Sequence, residues 1–236
     1  MPKYILFDLD GTLLPMDTDY FLDQYLRLIS AKFAHLVPPK LMVKQIMASS
    51  YATIGNAESG RTNEEKFMAD FLPKIGREAA EMQPLFDRFY VEHFPALVEH
   101  VHPSPLAREL VQAALDQGYR IVLATNPIFP LKAVEHRLAW AGVADLPWEY
   151  ISCLETSHFC KPNPAYFAEV LEQIGAEASD CIHFGNDLDE DMAACKIGIP
   201  VVIVEDYLIN RHQRSFQGCL YHGSLAETAK WLRQRM

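Results

Sequence analysis

The stretch Tyr4-Ile5-Leu6-Phe7-Asp8-Leu9-Asp10-Gly11-Thr12-Leu13 decides the reading of this chain. Four apolar residues in succession predict a fully buried strand, the kind found inside a parallel sheet. Asp8 and Asp10 follow two positions apart, and Gly11-Thr12 marks a turn directly after them. A strand has a side-chain period of two, so both carboxylates are expected to leave its end toward similar ground. Carboxylates crowded in that way repel unless a hard cation lies between them, and Mg²⁺ takes oxygen ligands of this kind. The plainer alternative is a strand-end turn whose aspartates cap backbone amides. The choice depends on what the rest of the chain supplies.

Downstream of Thr12 the pattern turns helical. Asp17 or Thr18 can cap a helix carrying Phe21, Tyr25, Leu28 and Phe33. Pro38-Pro39 break it, and a second helix is expected over Lys40 to Ala52. Thr62 and Glu65 have the spacing of a capping box ahead of Phe67, Phe71 and Leu72. A fourth helix is expected from about Arg77 to Val101, shortened or kinked by Pro84 and Pro95. Residues 15–102 therefore read as a helical insertion, either a stabilising layer or a lid.

From His102-Pro103-Ser104-Pro105 onward, helix and strand alternate. Strands are expected at Arg120 to Ala124, Glu149 to Cys153, Cys181 to Phe184 and Pro200 to Val204. Helices are expected at Leu106 to Gln117, Phe129 to Trp140, Ala165 to Ile174 and Leu225 to Arg235, with another running to Ile197. Apolar strands alternating with helices predict an α/β core, a mostly parallel sheet covered on both faces. Ligands of such sheets sit outside the carboxyl ends of the strands. Polar residues recur at those ends and in the adjoining loops: Asp8 and Asp10, then Thr125 and Asn126, then Lys161, then Asp187 and Asp191.

The whole has 236 residues, half of them apolar and 22% charged, with a net charge of −10. That balance argues against a nucleic-acid or anionic-membrane surface, and no apolar run is long enough to span a bilayer. Anionic substrates remain open, because a metal, a lysine and helix N-termini can override the global sign locally. Cys153, Cys160, Cys181, Cys195 and Cys219 show no paired spacing, so a reducing cytoplasmic location is expected. Cys181 and Cys195 read as inert core residues.

Taken together, these residues resemble the haloacid dehalogenase superfamily in its phosphatase branch, over essentially the full length. The likeness rests on D-L-D-G-T-L (Asp8–Leu13), L-A-T-N-P (Leu123–Pro127), K-P-N-P (Lys161–Pro164) and G-N-D-x-x-x-D (Gly185–Asp191). The resemblance implies a Rossmann-like three-layer core over residues 1–14 and 103–236, with a helical cap over 15–102. It implies Asp8 as nucleophile, Asp10 as general acid and base, and Lys161 as a charge-neutralising lysine. It further implies Thr125 and the Asn126 backbone amide on the phosphoryl oxygens. Mg²⁺ would be held by Asp8, the Asp10 carbonyl and Asp187, with Asp191 in support. Asn126-Pro127 departs from the commoner second motif, which puts more of the phosphate grip on backbone. Asp189 and Glu190 are read as an acidic helix start, His158 as a solvated loop residue and His183 as a satisfied core residue.

The function this implies is a Mg²⁺-dependent phosphatase acting on a small phosphorylated metabolite of phosphoglycolate, sugar phosphate or nucleotide monophosphate type. A phosphomutase would keep the same residues and admit a second hydroxyl in place of water. A dehalogenase would need neither Asp10 nor Asp187, and a non-catalytic module would be expected to lack one of the carboxylates. The sequence leaves the oligomeric state open.

Overall fold

β1 (Tyr4–Phe7) lies inside the sheet, and all four of its residues are buried. The structure, a computed structural model, describes residues 3–234. The other strands are β2 (Arg120–Leu123), β3 (Trp148–Ile151), β4 (Cys181–Gly185), β5 (Val201–Val204) and β6 (Tyr221–Gly223). They form one sheet in the order β3-β2-β1-β4-β5-β6, parallel throughout. The order reverses at β1, which pairs with β2 on one side and β4 on the other. Phe7 stands level with both Leu123 and Phe184, so the residues that follow these three strands emerge side by side.

Alternation along β1 divides the core into two layers. Ile5 and Phe7 join the apolar cluster on one face, with residues of α5 (Pro105–Asp116), α6 (Leu131–Trp140) and α8 (Leu225–Arg233). Tyr4 and Leu6 join the other cluster, under α7 (Pro164–Ile174) and a 3₁₀ segment, Asp191–Ile197. This is the α/β, Rossmann-like architecture expected from the uninterrupted apolar strands.

Between β1 and α5 stand α1 (Thr18–Lys32), α2 (Pro39–Gly55), α3 (Asn63–Ile75), α4 (Ala79–Glu92) and a 3₁₀ segment, Phe94–His100. Asp17 caps α1 by accepting from the Tyr20 amide at 2.9 Å. Thr62 and Glu65 form the full reciprocal capping box on α3. Phe21, Phe33, Phe86 and Phe94 pack into the same apolar cluster as the first sheet face. The chain leaves and re-enters the core at one place, where the His102 amide donates to the Pro15 carbonyl at 2.8 Å.

Four details differ from the sequence expectation. The helix expected over 77–101 stops at Glu92, shortened ahead of Pro95 as expected, but a 3₁₀ segment follows it and Pro84 sits inside α4. β6 was not anticipated: three residues are too few to show alternation. The stretch after Asp191 is 3₁₀ and not α-helical. Cys195 is only half-buried, although Cys181 is fully enclosed, and all five cysteines are free. Among the described residues no helix is long and apolar enough to cross a membrane.

Candidate active site

The carboxyl ends of β1 and β4 bring the sequence-predicted residues together. Asp8 follows β1 directly, its amide donating to the Phe184 carbonyl at 2.8 Å. Lys161, only 1% exposed, donates from Nζ to Asp8 Oδ1 at 3.0 Å and to Asp191 Oδ1 at 2.7 Å. Asp191 also meets His183 Nε2 at 2.8 Å, and its other oxygen accepts from the amides of Asn186 and Asp187 at 2.9 and 2.8 Å. One buried carboxylate thus holds the lysine and closes the loop after β4. His183 is enclosed as expected, yet its ring also braces Asp191 from within β4.

Two glycines permit this approach. Gly11 has φ +80°, a left-handed conformation that suits glycine, and a Cβ there would lie 2.2 Å from Asn186 Nδ2. A Cβ on Gly185 would fall 2.1 Å from the Asp191 carboxylate. Gly185→Ala is therefore expected to push Asp191 off Lys161 and the loop amides. Stability should drop by about 2 kcal/mol from overpacking, and kcat should drop on the order of 10²-fold from misplacement. Thermal melts and steady-state kinetics check this; a fully active variant would mean the Asp191 clasp is dispensable.

Asp8 and Asp10 pair with different basic side chains. Asp10 pairs with Arg137, a wholly buried arginine on α6 that the sequence reading did not single out. The guanidinium also donates from Nε to the Ala133 carbonyl at 3.2 Å and lies 4.5 Å from the Phe129 ring centre. One nitrogen, Nη2, and one Asp10 oxygen, Oδ1, are buried without a partner. Arg137 falls on the apolar stripe of α6 beside Ala133, Val134 and Leu138. A lone cation on such a stripe was the available signal.

Thr125 is buried at the end of β2, where its carbonyl accepts from the hydroxyls of Ser152 and Tyr166, both at 2.8 Å. The Asn126 side chain is engaged within the protein: Oδ1 accepts from the Lys161 amide at 3.2 Å and Nδ2 donates to Glu190 at 2.9 Å. Glu190 is thus more than an acidic helix start; it ties the loop after β4 to the loop after β2. His158 is likewise not simply solvated, because its Nδ1 lies 2.6 Å from Glu169. Asp187 Oδ1 accepts from the amides of Asp189 and Glu190 at 2.7 and 3.1 Å, and Arg211 donates to Oδ2 at 3.2 Å.

Burial pushes the Asp8 carboxyl up to about 7, although Lys161 pulls the other way. Burial likewise raises Asp10, against Arg137 and Lys161, and carries Glu190 to about 8. Burial works against the charged form of Asp191 too, but there Lys161 and His183 prevail and hold it well below the usual range. Asp191 is thus held in its charged form, whereas the charged form of Asp8 is disfavoured by burial and only partly compensated by Lys161. A model of the haloacid dehalogenase-like hydrolase family matches residues 2–197.

The chain belongs to the haloacid dehalogenase-like hydrolases. A phosphoglycolate phosphatase from Rhodospirillum rubrum is 27% identical over 241 residues, covering 98% of this chain and 91% of that protein. Among solved structures, a haloacid dehalogenase-type phosphatase from Thermococcus onnurineus aligns with TM-score 0.61 at 18% identity, over 98% of both chains. A D10N mutant of CbbY from Rhodobacter sphaeroides, in complex with xylulose-1,5-bisphosphate, aligns with TM-score 0.61 at 21% identity over 96% of both chains. At these identities the two structures speak to the fold alone.

Haloacid dehalogenase-type phosphatases generally use a divalent metal. Among the described residues no three histidine, cysteine or carboxylate side chains gather as a metal cage. Two carboxylates and a carbonyl do not require one, because Mg²⁺ keeps several waters. Asp8 and Asp187 are both hard oxygen donors whose charged forms are disfavoured by burial. A divalent cation relieves that penalty, so the residues fit the metal.

Proposed function

We propose that this chain is a Mg²⁺-dependent phosphatase acting on a small phosphorylated metabolite through an aspartyl-phosphate. The observation that carries the reading is the buried chain Asp8–Lys161–Asp191, with Asp10 close by on a separate cation. Residues 1–14 and 103–236 form the catalytic core, and residues 15–102 form a cap whose two linkers meet at Pro15 and His102.

Asp8 Oδ attacks phosphorus, and the bond from phosphorus to the ester oxygen breaks. Asp10 gives its proton to the departing alkoxide and then takes one from the water that cleaves the acyl phosphate, returning Asp8. Lys161 offsets charge on the nucleophile and the transferring group, while Thr125 and the Asn126 amide hold phosphoryl oxygens. Mg²⁺ would be held by Asp8, the Asp10 carbonyl and Asp187, and would supply neutralisation of the phosphoryl oxygens. Asp191 acts through Lys161, as its support. The name of the curated relative favours a phosphomonoester, and phosphoglycolate, sugar phosphates and nucleotide monophosphates form the first screening panel.

The test is hydrolysis of p-nitrophenyl phosphate with Mg²⁺ and with chelator. Turnover that chelation abolishes supports the proposal; turnover indifferent to chelation would remove the metal from it. A phosphomutase needs a second phosphate site, and no lysine, arginine or histidine lines the large cavity of the helical insert. That favours water as the acceptor.

Arg137 has a separate expected effect. Its pairing aims the Asp10 carboxyl, and proton donation matters most when the leaving group is a poor one. Arg137→Met should cost on the order of 10²-fold in kcat with an alkyl phosphate and much less with p-nitrophenyl phosphate. Equal losses on both would assign Arg137 to packing alone.

A further inference from the structure

The four helices of the insert surround a mostly apolar cavity of about 150 Å³. Its walls come from α1, α2, α3 and α4, from the loop Ile128-Phe129-Pro130 and from Leu154-Glu155. The first of these loops follows Thr125-Asn126, and the second leads into the segment ending at Lys161. The cavity is therefore bounded by two of the loops that build the candidate active site. Phe129 links it to the chemistry more directly, since the ring packs against Arg137, and Arg137 pairs with Asp10.

The lining has a definite chemical character. Tyr25, Tyr90 and Phe129 present aromatic surface, with the two tyrosine hydroxyls bonded to each other at 2.9 Å. The charged groups at the cavity are Glu64, Asp87 and Glu155, all carboxylates. Gln83 donates to Glu64 at 3.1 Å and to Asp87 at 3.2 Å, so its amide protons are spent on them. No cation lines the space, and Arg137 behind the wall is committed to Asp10. A carboxylate or second phosphate placed here would face three acids with no lysine, arginine or histidine in the lining to pair with. Burial already pushes Glu64 up, with Glu155 and Asp87 adding to it. An apolar space of this volume accommodates a group of about benzene size.

We infer that the substrate's leaving group carries a compact apolar or aromatic moiety, neutral or cationic, which this cavity receives. The inference rests on the phosphatase reading and narrows it: a small carboxylate alcohol such as glycolate does not match the lining, although relatives are named for it. A neutral ring buried here gains transfer free energy, and an amine or hydroxyl beyond it would meet the acidic rim.

The experiment compares three phosphates with similar primary alkoxide leaving groups: ethyl phosphate, 2-phenylethyl phosphate and 2-phosphoglycolate. The expected kcat/KM for 2-phenylethyl phosphate exceeds each of the others by tenfold or more. Two variants of cavity-lining residues accompany it. Met68→Trp fills the space and should cut the ratio of phenylethyl to ethyl turnover about tenfold. Asp87→Lys, at an exposed position on α4, should raise phosphoglycolate relative to phenylethyl phosphate by a similar factor. Preference for phosphoglycolate in the wild type, or equal ratios in all three proteins, would overturn the inference and leave the phosphatase standing. No turnover of these phosphates or of p-nitrophenyl phosphate would remove both.

Discussion

Asp8→Asn should abolish phosphomonoester hydrolysis, by on the order of 10⁴-fold or more, without unfolding the protein. The amide keeps the size of the carboxyl and can still accept from Lys161, which retains Asp191 at 2.7 Å. It cannot form an acyl phosphate at a useful rate, so the loss should appear in kcat on every phosphomonoester. Stability supplies an independent signature. Burial raises Asp8 to about 7, so its charged form weakens the metal-free fold. The sign follows from linkage: a raised carboxyl contributes stability below its unfolded value, and that contribution is lost as pH rises through about 7. Removing the titrating group should leave the metal-free variant at pH 8 at least as stable as the wild type. On the proposed metal site, the gain in melting temperature on adding Mg²⁺ should shrink, because an anionic donor is replaced by a neutral amide oxygen. Substantial residual turnover in Asp8→Asn would sink the nucleophile assignment.

Much of this arrangement was legible because it is local. The run Tyr4 to Phe7 announces a strand buried on both sides, and the capping box at Thr62 and Glu65 announces α3. Glycines end α3 and α7 in left-handed conformations, as punctuation alone suggested. Asp8, Lys161 and Asp191 could be grouped because each follows a strand or loop whose end the sheet order brings to one edge. What escaped was contact that leaves no trace in spacing. Arg137 reaches Asp10 across 127 positions, and helical periodicity treats α6 only as a cover for the sheet. Glu190 looked like a favourable charge at a helix start, but its partner Asn126 lies 64 positions away. Asp8 and Asp10 share a period of two and were expected to aim together, yet their side chains pair with different basic residues, Lys161 and Arg137. The period holds only while the backbone is a strand, and β1 ends at Phe7.

Lys161→Met should have the second large effect, on activity and stability together. Lys161 is the cation between two buried carboxylates, and burial alone would lower its pKa; Asp191 and Asp8 reverse this and keep it charged. Methionine fills similar volume but leaves Asp191 with His183 and two amides, and Asp8 with the Thr12 hydroxyl at 3.2 Å. Removing one member of a buried ionic cluster costs about 3–5 kcal/mol, a drop on the order of 10 °C in melting temperature. Loss of the charge facing the transferring phosphoryl group should also lower kcat on the order of 10³-fold. The pH dependence separates this from simple repacking. Lys161 helps hold Asp191 below the usual aspartate range, which stabilises the fold above that range; the benefit begins to fall as pH enters that range and is lost only as pH drops through the lowered folded value. The stability gap between wild type and variant should therefore be widest near neutrality and narrow toward about pH 4, where unpaired aspartates accept protons. A gap that stayed constant across that window would assign the lysine's stem, and not its charge, to holding the site together.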